Sequence, residues 1–186
     1  MKLIYLFLLL IPSALFSQTQ PIEMMVEIPA GTIEKYEVNK TTGLIEQDSV
    51  DGKPRVIDYL GYPGNYGYIK GTLLSKSDGG DGDPLDVILL SGSVSKGTIL
   101  EIIPIGVLRL KDNGESDDKI LAVPLGHPKN NLQNLNTFEE LMAKYPSIAE
   151  IIKSWFLNYK GKGKTKFLGW EDEVFALDLI DASRVD

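Results

Sequence analysis

The stretch SDGGDGDPLDVILLSG (77–92) sets Asp78, Asp81, Asp83 and Asp86 within nine positions. Carboxylates this close repel one another, so the crowding gains nothing unless the loop is solvated or a cation lies among them. A solvated turn is the plain reading, because Gly79, Gly80 and Gly82 guarantee a turn. The sequel argues for more. Pro84 stiffens the exit, LDVILL reads as a buried strand, and Asp86 falls inside it, where an unpaired carboxylate is costly. A calcium loop of the EF-hand type fails on register: started at Asp81 it meets Leu85 at position 5 and Gly92 at position 12. In an extended stretch Asp81 and Asp83 point the same way, and Asp86 joins them from the strand entrance. Oxygen-only ligands of this sort suit a hard cation such as Mg²⁺ or Mn²⁺.

A second acidic run, KDNGESDDK (111–119), carries Asp112, Glu115, Asp117, Asp118 and Lys119. It reads as a hairpin connection between IGVLRL and ILAVPL. Taken alone it is a polar loop; at the same end of a barrel as the first run it would complete a site for several metals. Periodicity does not decide which of the adjacent Asp117 and Asp118 faces inward. Cations are available too. Lys35 and Glu37 alternate and share a strand face, the three arginines are Arg55, Arg109 and Arg184, and NYKGKGKTK gathers Lys160, Lys162, Lys164 and Lys166. Tyr59, Tyr62, Tyr66 and Tyr68 lie in and beside GYPGNYGYIKG (61–71). Carboxylates for metals, mixed with Lys, Arg and Tyr donors, match what a small polyphosphate anion requires.

These side chains need elements to hold them. From Met24 to about Val123 the signals are those of short strands: MMVEIPA, KYEVN, GLIEQ, RVIDYL, YGYI, PLDVILL, TILEIIPIGVLRL and KILAVPL. Their spacing predicts a closed antiparallel barrel. After His127 the period changes to that of helices. Thr137 with Glu140 forms a capping-box pattern, and Ser147 is expected to cap a stronger helix with Ile148, Ile151, Ile152, Trp155, Phe156 and Tyr159 on one face. A last helix is expected over about 171–182. The fold class is α+β, mainly β: a small barrel with two or three packed helices, mostly C-terminal.

Composition excludes several functions. The 186 residues fit one domain, and the absence of cysteine removes disulfides, thiolate nucleophiles and zinc-finger sites. One histidine, His127, excludes multi-histidine metal centres and is read as structural or superficial. A formal net charge of −7 argues against nucleic acid or an anionic membrane as partner. The opening MKLIYLFLLLIPSALFSQTQ has the layout of a signal peptide, expected at 1–17, with a domain from 18 to 186. Its apolar core is too short to span a bilayer comfortably, so no stable membrane span is expected after processing.

At DGDPLDV (81–87) the chain resembles the signature of the soluble family I inorganic pyrophosphatases. VEIPAGTIEKYEV (26–38), YPGNYGYI (62–69), IGVLRLKDNGESDDK (105–119) and WFLNYKGK (155–162) resemble the family's other blocks, in the family's order. The resemblance implies a five-stranded closed β-barrel similar to an OB-fold, and hydrolysis of pyrophosphate with several Mg²⁺ ions, Mn²⁺ being a possible substitute. It implies Asp81, Asp86 and Asp117 as ligands of the first metal, and Asp83 as general base. Asp112 and Glu37 would hold further metals, with Glu27 supporting them. Lys35, Arg55, Tyr66, Lys119, Tyr159 and Lys160 would bind phosphate, with Tyr62 at the edge. Family spacing to Lys119 favours Asp117 over Asp118. It also implies a homo-oligomer.

Two stretches depart from the family pattern: QDSVDGK adds a turn before Arg55, and SKSDGG lengthens the approach to Asp81 and leaves Asp78 peripheral. The leader points to a periplasmic or secreted protein in a family usually at work in the cytoplasm. The rival readings are a non-catalytic OB-like module for a metal or oligoanion, and a phosphohydrolase for another polyphosphate. The absence of GxxxxGK[ST] argues against a nucleotide site.

Overall fold

In the computed structural model, which describes residues 21–39, 41–78, 80, 82–132 and 134–185, the Val-, Ile- and Tyr-rich stretches form strands. The expected leader at 1–17 and the Asp81 assignment lie outside the described residues. In chain order the strands before the helices are β1 (Glu23–Ile28), β2 (Tyr36–Val38), β3 (Ile45–Gln47), β4 (Ser49–Val50), β5 (Lys53–Pro54), β6 (Asn65–Ile69), β7 (Asp86–Leu89), β8 (Ile99–Asp112), β9 (Glu115–Ser116) and β10 (Lys119–Pro124). Helices α1 (Phe138–Lys144) and α2 (Pro146–Asn158), strand β11 (Thr165–Glu171) and helix α3 (Glu173–Ala182) follow.

Five strands close on themselves. β1 pairs β6, β6 pairs β7, β7 pairs β10, β10 pairs β8, and β8 returns to β1. This is the expected barrel, with one correction: β7 and β10 run parallel, with Asp86 opposite Lys119. A parallel neighbour needs a long crossover, and β8 with its hairpin supplies one. RVIDYL does not form a strand. Val56 makes a single bridge to Glu34, and Ile57 alone of its apolar residues is buried. Strand β11, which the sequence reading does not include, takes in the last two residues of the lysine-rich NYKGKGKTK. It lies against β8, with Thr165 opposite Asp112 and Trp170 opposite Leu108.

Both faces of the central strand are covered. All six residues of β10 are buried: Leu121 and Val123 join the cluster under α1 and α2, and Ile120 and Ala122 join the one that includes Ala176 and Ile180 of α3. A strand buried on both faces carries no polar alternation, which is why KILAVP is nearly uniformly apolar. Lys119 at its start is the exception, and that exception builds the site.

The helices follow their local signals. Thr137 Oγ1 accepts the Glu140 N–H at 3.1 Å, and Glu140 reaches back to the Asn136 N–H at 2.7 Å, one residue before the cap. Thr137→Ala is expected to lower stability by about 1 kcal/mol in a denaturant titration. Helix α2 differs from expectation at its start. Pro146 occupies the first turn and Tyr145 is the N-cap, so Ser147 lies inside the helix and caps nothing. Its buried face is Ala149, Ile152, Trp155 and Phe156, whereas Ile151 is 59% exposed. The apolar stripe is narrower than the sequence suggested.

Candidate active site

The loop that delivers Asp83 is fixed by its neighbours before it reaches β7. Leu74 exchanges two backbone bonds with it: its N–H donates to Asp83 O at 2.7 Å, and its carbonyl accepts the Gly82 N–H at 2.9 Å. The buried Thr72 hydroxyl accepts the Leu85 N–H at 3.0 Å. Gly82 has φ 85°, a left-handed conformation that a side chain would strain, so this position before Asp83 requires glycine. Asp86 then opens β7 directly across from Lys119.

The second acidic run folds as the predicted hairpin. Asn113 and Gly114 both have positive φ, 49° and 95°, as a two-residue turn between twisted strands demands. Packing around this hairpin then separates Asp117 from Asp118. Asp117 turns into the cleft beside Lys119, while Asp118 is buried on the opposite side and pairs with Arg109 at 2.7 Å.

Both runs line one polar cleft of about 240 Å³. Of the sequence-derived residues, Lys35, Glu37, Arg55, Tyr62, Tyr66, Asp83, Asp86, Asp112, Asp117, Lys119, Tyr159 and Lys160 all face it, joined by Asn113, Glu115 and Ser116 of the hairpin. Glu27 lines an adjoining cavity of about 240 Å³ that shares Glu37, Asp83 and Asp86 with the first. Its Oε1 accepts the Val38 N–H at 2.7 Å. Burial pushes its carboxyl up to about 7, helped by Asp86 and Glu37 against the opposing pull of the Val38 N–H and Lys35.

Lysines stand between the acids. The Lys119 ammonium, 3% exposed, contacts Asp86 and lies 2.6 Å from Asp117. Burial alone would lower its pKa, but the two carboxylates outweigh that and raise it above the usual lysine range. Lys160 lies 2.5 Å from Asp112, and Lys35 contacts Glu37. Buried phenols complete the wall. Burial raises the pKa of Tyr62, Tyr66 and Tyr159, so each remains a protonated donor at neutral pH. The residues just after α2, Tyr159 and Lys160, are held through Trp155, whose ring stacks on Tyr159 at 4.3 Å and whose Nε1 donates to Leu60 O at 2.8 Å. Such a pair adds about 1 kcal/mol beyond its buried area.

One participant escaped the sequence reading. Asp48 lies behind the two cations nearest the extra turn, 2.9 Å from Arg55 and 3.6 Å from Lys35. Its backbone is tied to both, with Asp48 N–H donating to Lys35 O and Arg55 N–H to Asp48 O. The available signal was the QDSVDGK turn, which folds as the β4–β5 hairpin and brings Arg55 back alongside Asp48. His127 takes no part; its Nδ1 accepts the Lys129 N–H at 3.2 Å on the surface.

The donor set fits a hard divalent cation. All its acids are carboxylates, and the buried Oδ1 of Asp112 has no hydrogen-bond partner among the described residues. Among those residues no three acidic groups converge as a bare metal cage would. The Lys119 ammonium lies between Asp86 and Asp117 instead, while Lys160 and Lys35 pair with Asp112 and Glu37.

An OB-like barrel with a cleft of carboxylates facing lysines, an arginine and buried phenols defines a class of α+β protein whose barrel carries a mixed-charge polar cleft. A family model described as inorganic pyrophosphatase matches residues 24–186, and the chain belongs to that family. It is 36% identical over 162 residues to an inorganic pyrophosphatase of Halalkalibacterium halodurans, covering 86% of this chain and 91% of that one. Among solved structures, an inorganic pyrophosphatase from Neisseria gonorrhoeae superposes with a TM-score of 0.72 at 33% identity, over 88% of this chain and 89% of the other. A truncated vacuolar soluble pyrophosphatase of Trypanosoma cruzi, solved with PPi, gives 0.80 at 25% identity, over 95% of this chain and 73% of that one.

Proposed function

We propose that this chain hydrolyses inorganic pyrophosphate to two orthophosphates, with Mg²⁺ as cofactor and Mn²⁺ as a substitute. The observation that carries the reading is the single cleft in which Asp83, Asp86, Asp112 and Asp117 face Lys35, Arg55, Lys119, Tyr159 and Lys160. Asp86, Asp117, Asp112 and Glu37 would hold the metal, with Glu27 behind them; Asp81 joins this set through the resemblance alone. When bound, such cations supply the charge that makes water acidic enough to attack near neutral pH and that offsets charge on the leaving phosphate. Asp83 accepts one proton from the attacking water as its oxygen bonds to phosphorus. The bridging P–O bond breaks, and the leaving phosphate departs with the electron pair. Lys35, Arg55, Lys119 and Lys160 hold phosphate oxygens as charge-assisted donors, and Tyr66, Tyr159 and Tyr62 donate from protonated phenols. Water attack on so charged an anion is slow unassisted, so the protein's contribution is positioning and charge.

Export through the leader at 1–17 and assembly into a homo-oligomer belong to the same reading; the leader-like sequence and the family resemblance support them. Among the described residues no helix is long and apolar enough to cross a membrane. The deciding experiment is phosphate release from pyrophosphate, ATP and p-nitrophenyl phosphate, each with Mg²⁺ and with chelator. Turnover of pyrophosphate far above the other two, abolished by chelation, is the expected result. Equal or faster turnover of ATP would replace the reading with a broader phosphohydrolase. No turnover of any would favour a binding module.

A further inference from the structure

Asp117 and Asp118 are identical neighbours, yet one enters the cleft and the other is buried away from it. We propose that the Arg109–Asp118 pair is a register lock: it selects Asp117 as the cleft carboxylate and keeps Lys119 beside it. Arg109 and Asp118 are thus positioning residues, and their activity readout rests on the pyrophosphatase reading.

The lock follows from alternation. Along extended chain, a side chain fixed on one face sends both its neighbours to the other. The Asp118 carboxylate is 7% exposed and fully engaged: Oδ2 accepts Arg109 Nε at 2.7 Å, and Oδ1 accepts the Leu110 N–H at 2.9 Å. Arg109 is held in turn, with its guanidinium 4.9 Å from the Phe175 ring of α3 and 3.6 Å from Glu171. In a regular antiparallel pair, two facing residues exchange both backbone bonds. Here Asp117 N–H donates to Leu110 O at 3.0 Å, but the Leu110 N–H donates to the Asp118 side chain. A carboxylate has therefore replaced a rung of the ladder where β10 begins.

A one-residue slip would exchange the two faces. Asp118 would turn into the cleft, Asp117 would face Phe175, and Lys119 would leave its position between Asp86 and Asp117. Two consecutive aspartates make positions 117 and 118 chemically alike in either register, so the Lys119 contacts with Asp86 and Asp117 and the Arg109–Asp118 pair must tell the registers apart. A half-buried ion pair contributes little net stability, so its value here is a unique register at the metal-side carboxylate.

The test compares wild type with Arg109→Gln and Arg109→Lys by amide exchange in NMR and by Mg²⁺ titration of pyrophosphate turnover. In Arg109→Gln, exchange at Leu110 and Asp117 is expected to speed up about 10-fold relative to the α2 amides. The Mg²⁺ concentration for half-maximal turnover should rise about 10-fold, and Arg109→Lys should recover most of that loss. Exchange accelerated equally throughout the chain, with an unchanged Mg²⁺ midpoint, would reduce the pair to an ordinary staple for α3 and overturn the lock. Should Arg109→Gln not fold, wild type decides. Leu110 and Asp117 amides exchanging as fast as those of Asn113 and Gly114 in the exposed turn would overturn it, and protection far above that turn would support it. Wild type without pyrophosphate turnover would sink the functional reading, while the exchange data would still judge the lock.

Discussion

Replacing Asp83 by Asn is expected to cut the turnover number for pyrophosphate by about 100- to 1,000-fold while leaving Mg²⁺ binding close to wild type. Asp83 lines both the main cleft and the adjoining cavity, next to Asp86 in each. Asparagine keeps the shape and one oxygen but cannot take a proton near neutral pH. The backbone bonds that fix the loop, Leu74 N–H to Asp83 O and Gly82 N–H to Leu74 O, do not involve the side chain and should survive. Steady-state kinetics and Mg²⁺ calorimetry on the same preparation separate the roles. A near-normal rate would remove Asp83 from the base role. Parallel loss of rate and metal affinity would make it a ligand instead.

The second large effect concerns stability. Lys119→Met is expected to cost about 3 kcal/mol in chelator, a drop in melting temperature of roughly 8 °C. Methionine fills the buried space, but Asp86 and Asp117 then face each other without the ammonium that now lies between them. The folded-state pKa of Lys119 lies above its unfolded value. Its contribution is therefore complete at neutral pH and is lost only as pH rises through the folded value. Mg²⁺ should recover more stability in the variant than in wild type, because a cation can then take the vacated position between the carboxylates. Thermal melts with chelator and with Mg²⁺ check this. An equal loss under both conditions would show that the carboxylates there do not receive the ion.

What proved legible was local. The Thr137 cap on Glu140, the Asn113–Gly114 turn and the contact of Lys35 with Glu37 depend on residues a few positions apart, and each formed; only the return bond of the capping box shifted by one residue, to Asn136. RVIDYL failed for the complementary reason. It has strand propensity, but propensity needs an edge to pair with, and Val56 found a single bridge. Strand β11 is absent from the sequence reading because pairing with the distant β8 is what makes it a strand. Ser147 failed as a cap because Tyr145 and Pro146 set the start of α2.

The sequence by itself determined the inventory: which carboxylates, lysines and tyrosines exist, that they sit on a small barrel, and that their chemistry suits metals and a polyanion. Tertiary structure alone decided which of them meet. Asp48 reaches Arg55 and Lys35 through a hairpin, Lys119 lies between acids from two different strands, and Asp118 leaves the cleft because Arg109 and the Leu110 N–H claim it. Side-chain alternation reports only that Asp117 and Asp118 point to opposite faces. Which face is the cleft is set by what has packed there, and that is a property of the closed barrel with α3 laid against it.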